Sequence, residues 1–148
     1  MAADIAAPFG GSVLLVDKSA NARAMHPLVR DRWVRALRAG QLASCTVSTL
    51  ELLYSARSRT EIDDLLADQA LLRDVPITVS VQRTAIAAVR DLAGVASLDH
   101  RVPLPDLLLA AAAQEAGIGV LHYDRHFDRL AEVLTFESVW LAPPGALD

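Results

Sequence analysis

Short, nearly continuous apolar runs alternate along the chain with longer stretches in which apolar positions recur every three or four residues. Ser12–Val16, Leu42–Cys45, Val75–Val79, Ile118–His122 and Phe136–Trp140 have the length and content of buried strands. Pro76 restricts the third of these to a sheet edge or makes it irregular. Between the strands, Pro27–Ala39 sets Val29, Trp33 and Leu37 on one helical face, with Gly40 as a stop. A helix holding Glu51 follows the second strand, capped by Thr46 or Ser48, and another covers Glu61–Leu72. Ser80 caps a helix striped by Val81, Ala85, Ala88, Val89 and Leu92, and Gly94–Leu104 reads as a loop. Pro105 opens the most apolar helix, which ends at Gly117, and a short helix lies around Phe127–Val133.

This alternation predicts an α/β fold: a mostly parallel sheet of four to five strands with helices on both faces. In such sheets, ligands gather outside the carboxyl ends of the strands. Asp17 and Asp124 each follow a strand directly, while Glu51 and Asp106 fall in what read as opening turns of helices, pointing to the same edge. Carboxylates at the rims of buried elements are costly unless something pairs with them. Gathered together they also repel, and at least one would stay protonated near neutral pH. A divalent cation removes that conflict. Oxygen donors without clustered Cys or His favour Mg²⁺ or Mn²⁺ over zinc.

Each acid also has a plain structural explanation. Asp17 could end a strand, Asp106 could answer a helix dipole, Glu51 could pair with Arg57, and Asp124 could belong to a turn. Asp99 and Asp128 read as surface acids, His122 and His126 as hydrogen-bonded structural residues, and Cys45, Trp33 and Trp140 as packing residues.

Composition narrows the picture. The 148 residues suit one domain over residues 12–143, with a mobile leader at 1–11 and a tail at 144–148. No stretch is long and uncharged enough to span a membrane, and the N-terminal residues lack the regions of a signal peptide. Hydrophobic residues make up 53% and mean hydropathy is +0.30, a surplus that predicts a partner covering apolar surface. One cysteine excludes an internal disulfide and points to a reducing cytoplasm. The net charge of −4 argues against nucleic-acid binding through bulk charge alone. However, all the basic residues but Lys18 are Arg, suited to planar phosphate contacts, and Arg30, Arg32, Arg35 and Arg38 could form a basic helix face.

Four motifs taken together resemble the PIN-domain nucleases: LLVDKSA at Asp17, TLELLYSA at Glu51, PDLLLAAAA at Asp106 and HYDRHFDRL at Asp124. Their order and spacing are similar to those of VapC, the toxin of VapBC type II toxin–antitoxin pairs, from about Leu14 to Pro143. The resemblance implies a PIN-like α/β/α sandwich and a Mg²⁺-dependent endoribonuclease, with Mn²⁺ able to substitute, that hydrolyses RNA with metal-activated water. It also implies inhibition by a cognate VapB antitoxin and a homodimer. On this carry-over Asp17, Asp106 and Asp124 bind metal, Glu51 completes the catalytic set and Ser19 orients Asp17. Two departures stand out: Lys18, which could contact substrate phosphate, replaces the Thr of many relatives, and His126 replaces an Asp that many carry before the Phe. Rival readings fit less well. A haloacid-dehalogenase-like phosphatase needs an acid where Ser19 stands, and a receiver-like Mg²⁺-binding module needs an acid pair after the first strand and a late lysine. A degenerate PIN domain that binds without cleaving is the remaining alternative.

Overall fold

The computed structural model describes residues 8–96 and 100–148, so Asp99 lies outside the described residues. Five parallel strands form the central sheet in the order β3-β2-β1-β4-β5, with β1 Leu14–Val16, β2 Leu42–Cys45, β3 Arg73–Val75, β4 Gly119–His122 and β5 Ser138–Trp140. Strands consecutive in the chain are joined through helices: α1 Lys18–Asn21, α2 Arg30–Arg38, α3 Thr46–Tyr54, α4 Arg59–Gln69, α5 Val79–Val95, α6 Leu104–Ala116 and α7 His126–Leu130.

Strand alternation divides the core into two layers. Leu15, Ala43 and Val120 face α5, α6 and α7, packing with Val81, Leu92, Leu109 and Phe127. Leu14, Val16, Leu42 and Leu121 face the opposite way, against Ala20, Val29, Trp33 and Ala36 of the α1–α2 region. Helices therefore cover both faces of the sheet, giving the expected α/β/α sandwich. In α6, Ala110–Ala113 are all fully buried. Four side chains no larger than a methyl group let this helix lie close to the sheet and fix the position of its first turn.

Several boundaries differ from the sequence reading. The first strand begins at Leu14 rather than Ser12, and the third ends at Val75, directly before Pro76, whose missing N–H cannot extend a ladder. Thr78, not Ser80, caps α5, since its hydroxyl accepts from the Val81 amide. Cys45 occupies the cap position of α3, where the Ser48 hydroxyl accepts from the Cys45 amide at 3.2 Å. Ser58 caps α4, which starts at Arg59 and stops at Gln69. Pro27 lies in a turn ahead of α2, where the His26 ring accepts the Leu28 amide at 3.1 Å. Glu51 sits in the middle of α3 rather than its opening turn, and Arg57 lies beyond that helix with its amide donating to Glu61.

Both ends of the described chain are tied down. Phe9 is buried beneath the Arg32 guanidinium, 4.4 Å from its ring centre, and Arg32 also donates to the Pro8 and Leu141 carbonyls. Arg32 is thus structural, whereas Arg30, Arg35 and Arg38 are exposed. The Leu147 amide donates to the Tyr123 hydroxyl at 3.0 Å.

Candidate active site

The strand order reverses beside β1, and the crevice outside the carboxyl ends of β1 and β4 is where such a sheet opens for a ligand. Asp17 leaves β1 at that point. Its amide donates to the Leu121 carbonyl at 2.9 Å, and its carboxylate caps α1. One oxygen, Oδ2, accepts both the Ser19 amide at 2.9 Å and the Ser19 hydroxyl at 2.5 Å. That hydroxyl in turn accepts the Tyr123 amide at 2.9 Å, so one serine fastens the end of β1 to the end of β4. The four-residue α1 is too short to leave a periodic trace in the sequence.

Asp124 follows β4 in a turn, where its Oδ1 accepts the His126 amide at 3.0 Å. Its own amide donates to His122 Nδ1 at 3.2 Å. His122 Nδ1 is therefore unprotonated, and the neutral ring carries its proton on Nε2, 2.7 Å from the Ser138 hydroxyl. Ser138 donates onward to Asp128 at 2.8 Å, and Trp140 Nε1 donates to the other Asp128 oxygen at 2.9 Å. Complete burial lowers the His122 pKa to about 4, against the opposing pull of Asp128 and Asp124.

Asp106 lies in the first turn of α6, following Pro105, and is buried. Donor atoms of Asp17, Glu51 and Asp106 all lie within 4.8 Å of one another, and so do those of Asp106, Asp124 and His126. The four acids thus meet in one cleft, with Asp106 common to both groups. Burial raises the Asp106 pKa to about 8, reinforced by the charges of Asp17, Asp124 and Glu51. Burial also raises the Asp17 pKa, although the bonds from Ser19 resist it. Glu51 is raised first by partial burial and then by Asp17, while the Lys18 charge acts in the opposite sense, placing Lys18 beside the cleft.

His126 is the cleft residue that sequence reasoning set aside. Its Nδ1 lies 3.0 Å from Asp124 Oδ1 and 3.4 Å from Asp106 Oδ2. The atom is buried and no hydrogen bond is formed to it. The available signal was the spacing Asp124-x-His126, since a turn brings residues two apart to one side. A carboxylate set that repels itself, together with a buried nitrogen lacking a partner, fits a divalent cation.

A family profile described as PIN domain matches residues 14–133. Fold and cleft therefore define a PIN domain. Within that class, the chain is 40% identical to Ribonuclease VapC18 of Mycobacterium tuberculosis, over 91% of this chain and 99% of the relative. It is 36% identical to Ribonuclease VapC51 of the same organism, over 90% and 96% of the two chains. This chain belongs to the VapC family of PIN-domain proteins. Its fold is similar to a chain of the promoter-DNA-bound VapBC2 of Rickettsia felis, with a TM-score of 0.67, 13% identity and coverage of 84% and 97%. A chain of the DNA-bound VapBC of Salmonella typhimurium gives 0.66, at 17% identity and coverage of 86% and 98%.

Proposed function

We propose that this chain is the toxin of a type II toxin–antitoxin pair, a Mg²⁺-dependent endoribonuclease that hydrolyses RNA phosphodiester bonds. The observation that carries the reading is the burial of Asp106 among three further acids, with its pKa raised to about 8. A site that holds its own carboxylates in conflict is built for a cation that resolves the conflict. The ribonuclease names of the relatives supply the substrate class.

In this mechanism Asp17, Asp106 and Asp124 hold the cation, with Mn²⁺ able to replace Mg²⁺. When bound, the ion lowers the pKa of a water molecule and stabilises charge on a phosphoryl oxygen. Glu51, whose carboxylate lies within 4.8 Å of those of Asp17 and Asp106, positions the attacking water and receives its proton. Ser19 keeps Asp17 in a single orientation by donating twice to Oδ2. Lys18 draws the substrate phosphate toward the cleft mouth, and the exposed Arg30, Arg35 and Arg38 extend the basic surface along α2.

Partners follow from exposed apolar surface. Ile86 and Leu104 stand 72% exposed over a groove lined by Ala85, Val89 and Leu107, a face suited to a second copy of the chain. Met25 and Leu71 border a second groove, lined by Trp33, Leu37 and Leu52, that suits the apolar segment of a VapB-type antitoxin. VapBC assemblies among the similar structures support that partner. Among the described residues no helix is long and apolar enough to cross a membrane, and the reading places the protein in the cytoplasm.

The deciding experiment is cleavage of total bacterial RNA by the purified chain with Mg²⁺, with EDTA, and with Asp17→Asn or Asp106→Asn. Discrete cuts that require metal and disappear in both variants are expected. Intact RNA in every lane, with RNA binding preserved, would favour the degenerate PIN domain instead.

A further inference from the structure

We propose that His126 is a metal ligand, supplying Nδ1 to a divalent ion held with Asp106 and Asp124, and that this nitrogen makes the site prefer Mn²⁺ over Mg²⁺. The inference deepens the proposed nuclease reading and rests on the cleft binding a cation.

Three observations carry it. First, the distances from Nδ1 to Asp124 Oδ1 and Asp106 Oδ2, 3.0 and 3.4 Å, are those of neighbouring donors on one ion. With metal–ligand bonds of about 2.1 Å in octahedral geometry, adjacent donors lie roughly 3 Å apart. Second, Nδ1 is buried yet forms no hydrogen bond to either acid, so proximity here is not explained by a directed N–H···O contact. Asp124 Oδ1 is already engaged by the His126 backbone amide. Third, that backbone bond fixes the turn, holding the ring over the cleft through the main chain. The ring therefore needs no partner of its own to stay in place.

Donor chemistry then sets the preference. Mg²⁺ favours oxygen and keeps its waters, whereas imidazole nitrogen suits later first-row ions, and Mn²⁺ accepts oxygen and nitrogen together. Replacing an oxygen donor with this nitrogen should tilt the site toward Mn²⁺. The group built from Asp17, Glu51 and Asp106 is all oxygen and retains no such bias.

The test is electron spin-echo spectroscopy of Mn²⁺ bound to the full chain, as wild type and as His126→Asp, with Mn²⁺ and Mg²⁺ affinities measured on the same samples. Expected are nitrogen modulation in the wild type, its loss in His126→Asp with Mn²⁺ still bound, and a fall in the Mn²⁺-to-Mg²⁺ affinity ratio. Because His126→Asp exchanges a nitrogen donor for an oxygen donor and keeps the ligand count, the loss should fall on Mn²⁺ and the ratio should drop toward that of an all-oxygen site. Bound Mn²⁺ without nitrogen modulation, or modulation that persists in His126→Asp, overturns the role of His126 and leaves a carboxylate metal site standing. Failure of the wild type to bind Mn²⁺ at millimolar concentration overturns both this inference and the nuclease reading beneath it.

Discussion

Two groups of carboxylates flank β4 and α7, and they are held in opposite ways. Asp128 is exposed, yet each of its oxygens accepts a hydrogen bond, from Ser138 and from Trp140. Asp106 is buried, and the charges of three more acids, Asp17, Asp124 and Glu51, all raise its pKa. The Asp128 corner is complete as it stands: donors match acceptors, and the neutral His122 ring fills the space between. The Asp106 cleft is incomplete, because its acids repel one another and the Lys18 charge, which acts on Glu51, does not offset the shift at Asp106.

That contrast breaks most sharply at Asp106. Asp106→Asn should cut RNA cleavage by at least about a hundredfold, beyond the effect of removing a group that merely supports a metal ligand. In EDTA at pH 8 the same variant should melt higher than wild type, by roughly 5 °C, since a charge conflict has been removed. A lower melting temperature would mean that Asp106 is held by favourable contacts, like Asp128, and would remove the distinction.

A smaller effect is expected from metal. Saturating Mg²⁺, at about 100 times its Kd, should stabilise the wild type by roughly 2.7 kcal/mol. Asp17→Asn should show little of that gain. Equal gains in both proteins would place the ion elsewhere.

Acidity gives a third test, with a definite sign. Asp106 has its pKa raised from 3.8 to about 8, so the folded chain keeps a proton that the unfolded chain has released. Its contribution to stability is intact below pH 3.8 and falls as pH rises toward about 8. His122 works the other way: its pKa is lowered from 6.5 to about 4, so its contribution is lost as pH falls through that interval. The two slopes oppose each other below pH 6.5, leaving Asp106 dominant between there and about 8. Denaturant titrations in EDTA should show stability declining across that upper window, and a saturating cation should flatten the decline.

The smallest effect on function belongs to the Asp128 corner. Ser138→Ala leaves the buried His122 Nε2–H without its partner and should cost about 1–3 kcal/mol in stability. Metal affinity measured by calorimetry should stay unchanged within error. A large loss of affinity would show that the corner sets the position of Asp124 and is part of the same machine.

Much of this was legible in the chain itself. Five strands, the parallel α/β arrangement, the acids Asp17 and Asp124 just past strand ends and Asp106 in the first turn of α6 follow from runs of apolar residues and what stands at their edges. Gly117 announced the end of α6, and its backbone indeed turns left-handed there, at φ 67°. Other features depend on which side chain happens to reach which amide. Thr78 outcompeted Ser80 as a cap, and Ser48 served α3 from inside the helix rather than from its end. Glu51 reached the cleft from the middle of its helix because α3 packs across the mouth, a relation between elements that periodicity does not carry. His126 was hidden for a similar reason: its ring stands between Asp124, two residues before it, and Asp106 of α6, twenty residues earlier, and only the second contact depends on how the elements pack.

The grip of Ser19 on Asp17 also has a genetic consequence. Both bonds from Ser19 fall on a single oxygen, and asparagine caps helices as well as aspartate does. The codons for these residues differ by one nucleotide. On the proposed mechanism a single base change would therefore disarm the cleft while sparing the helix cap, the bridge from Ser19 to β4 and the sheet that depends on them. Loss of activity and loss of shape are separate mutational events at this position, and the first lies one step away.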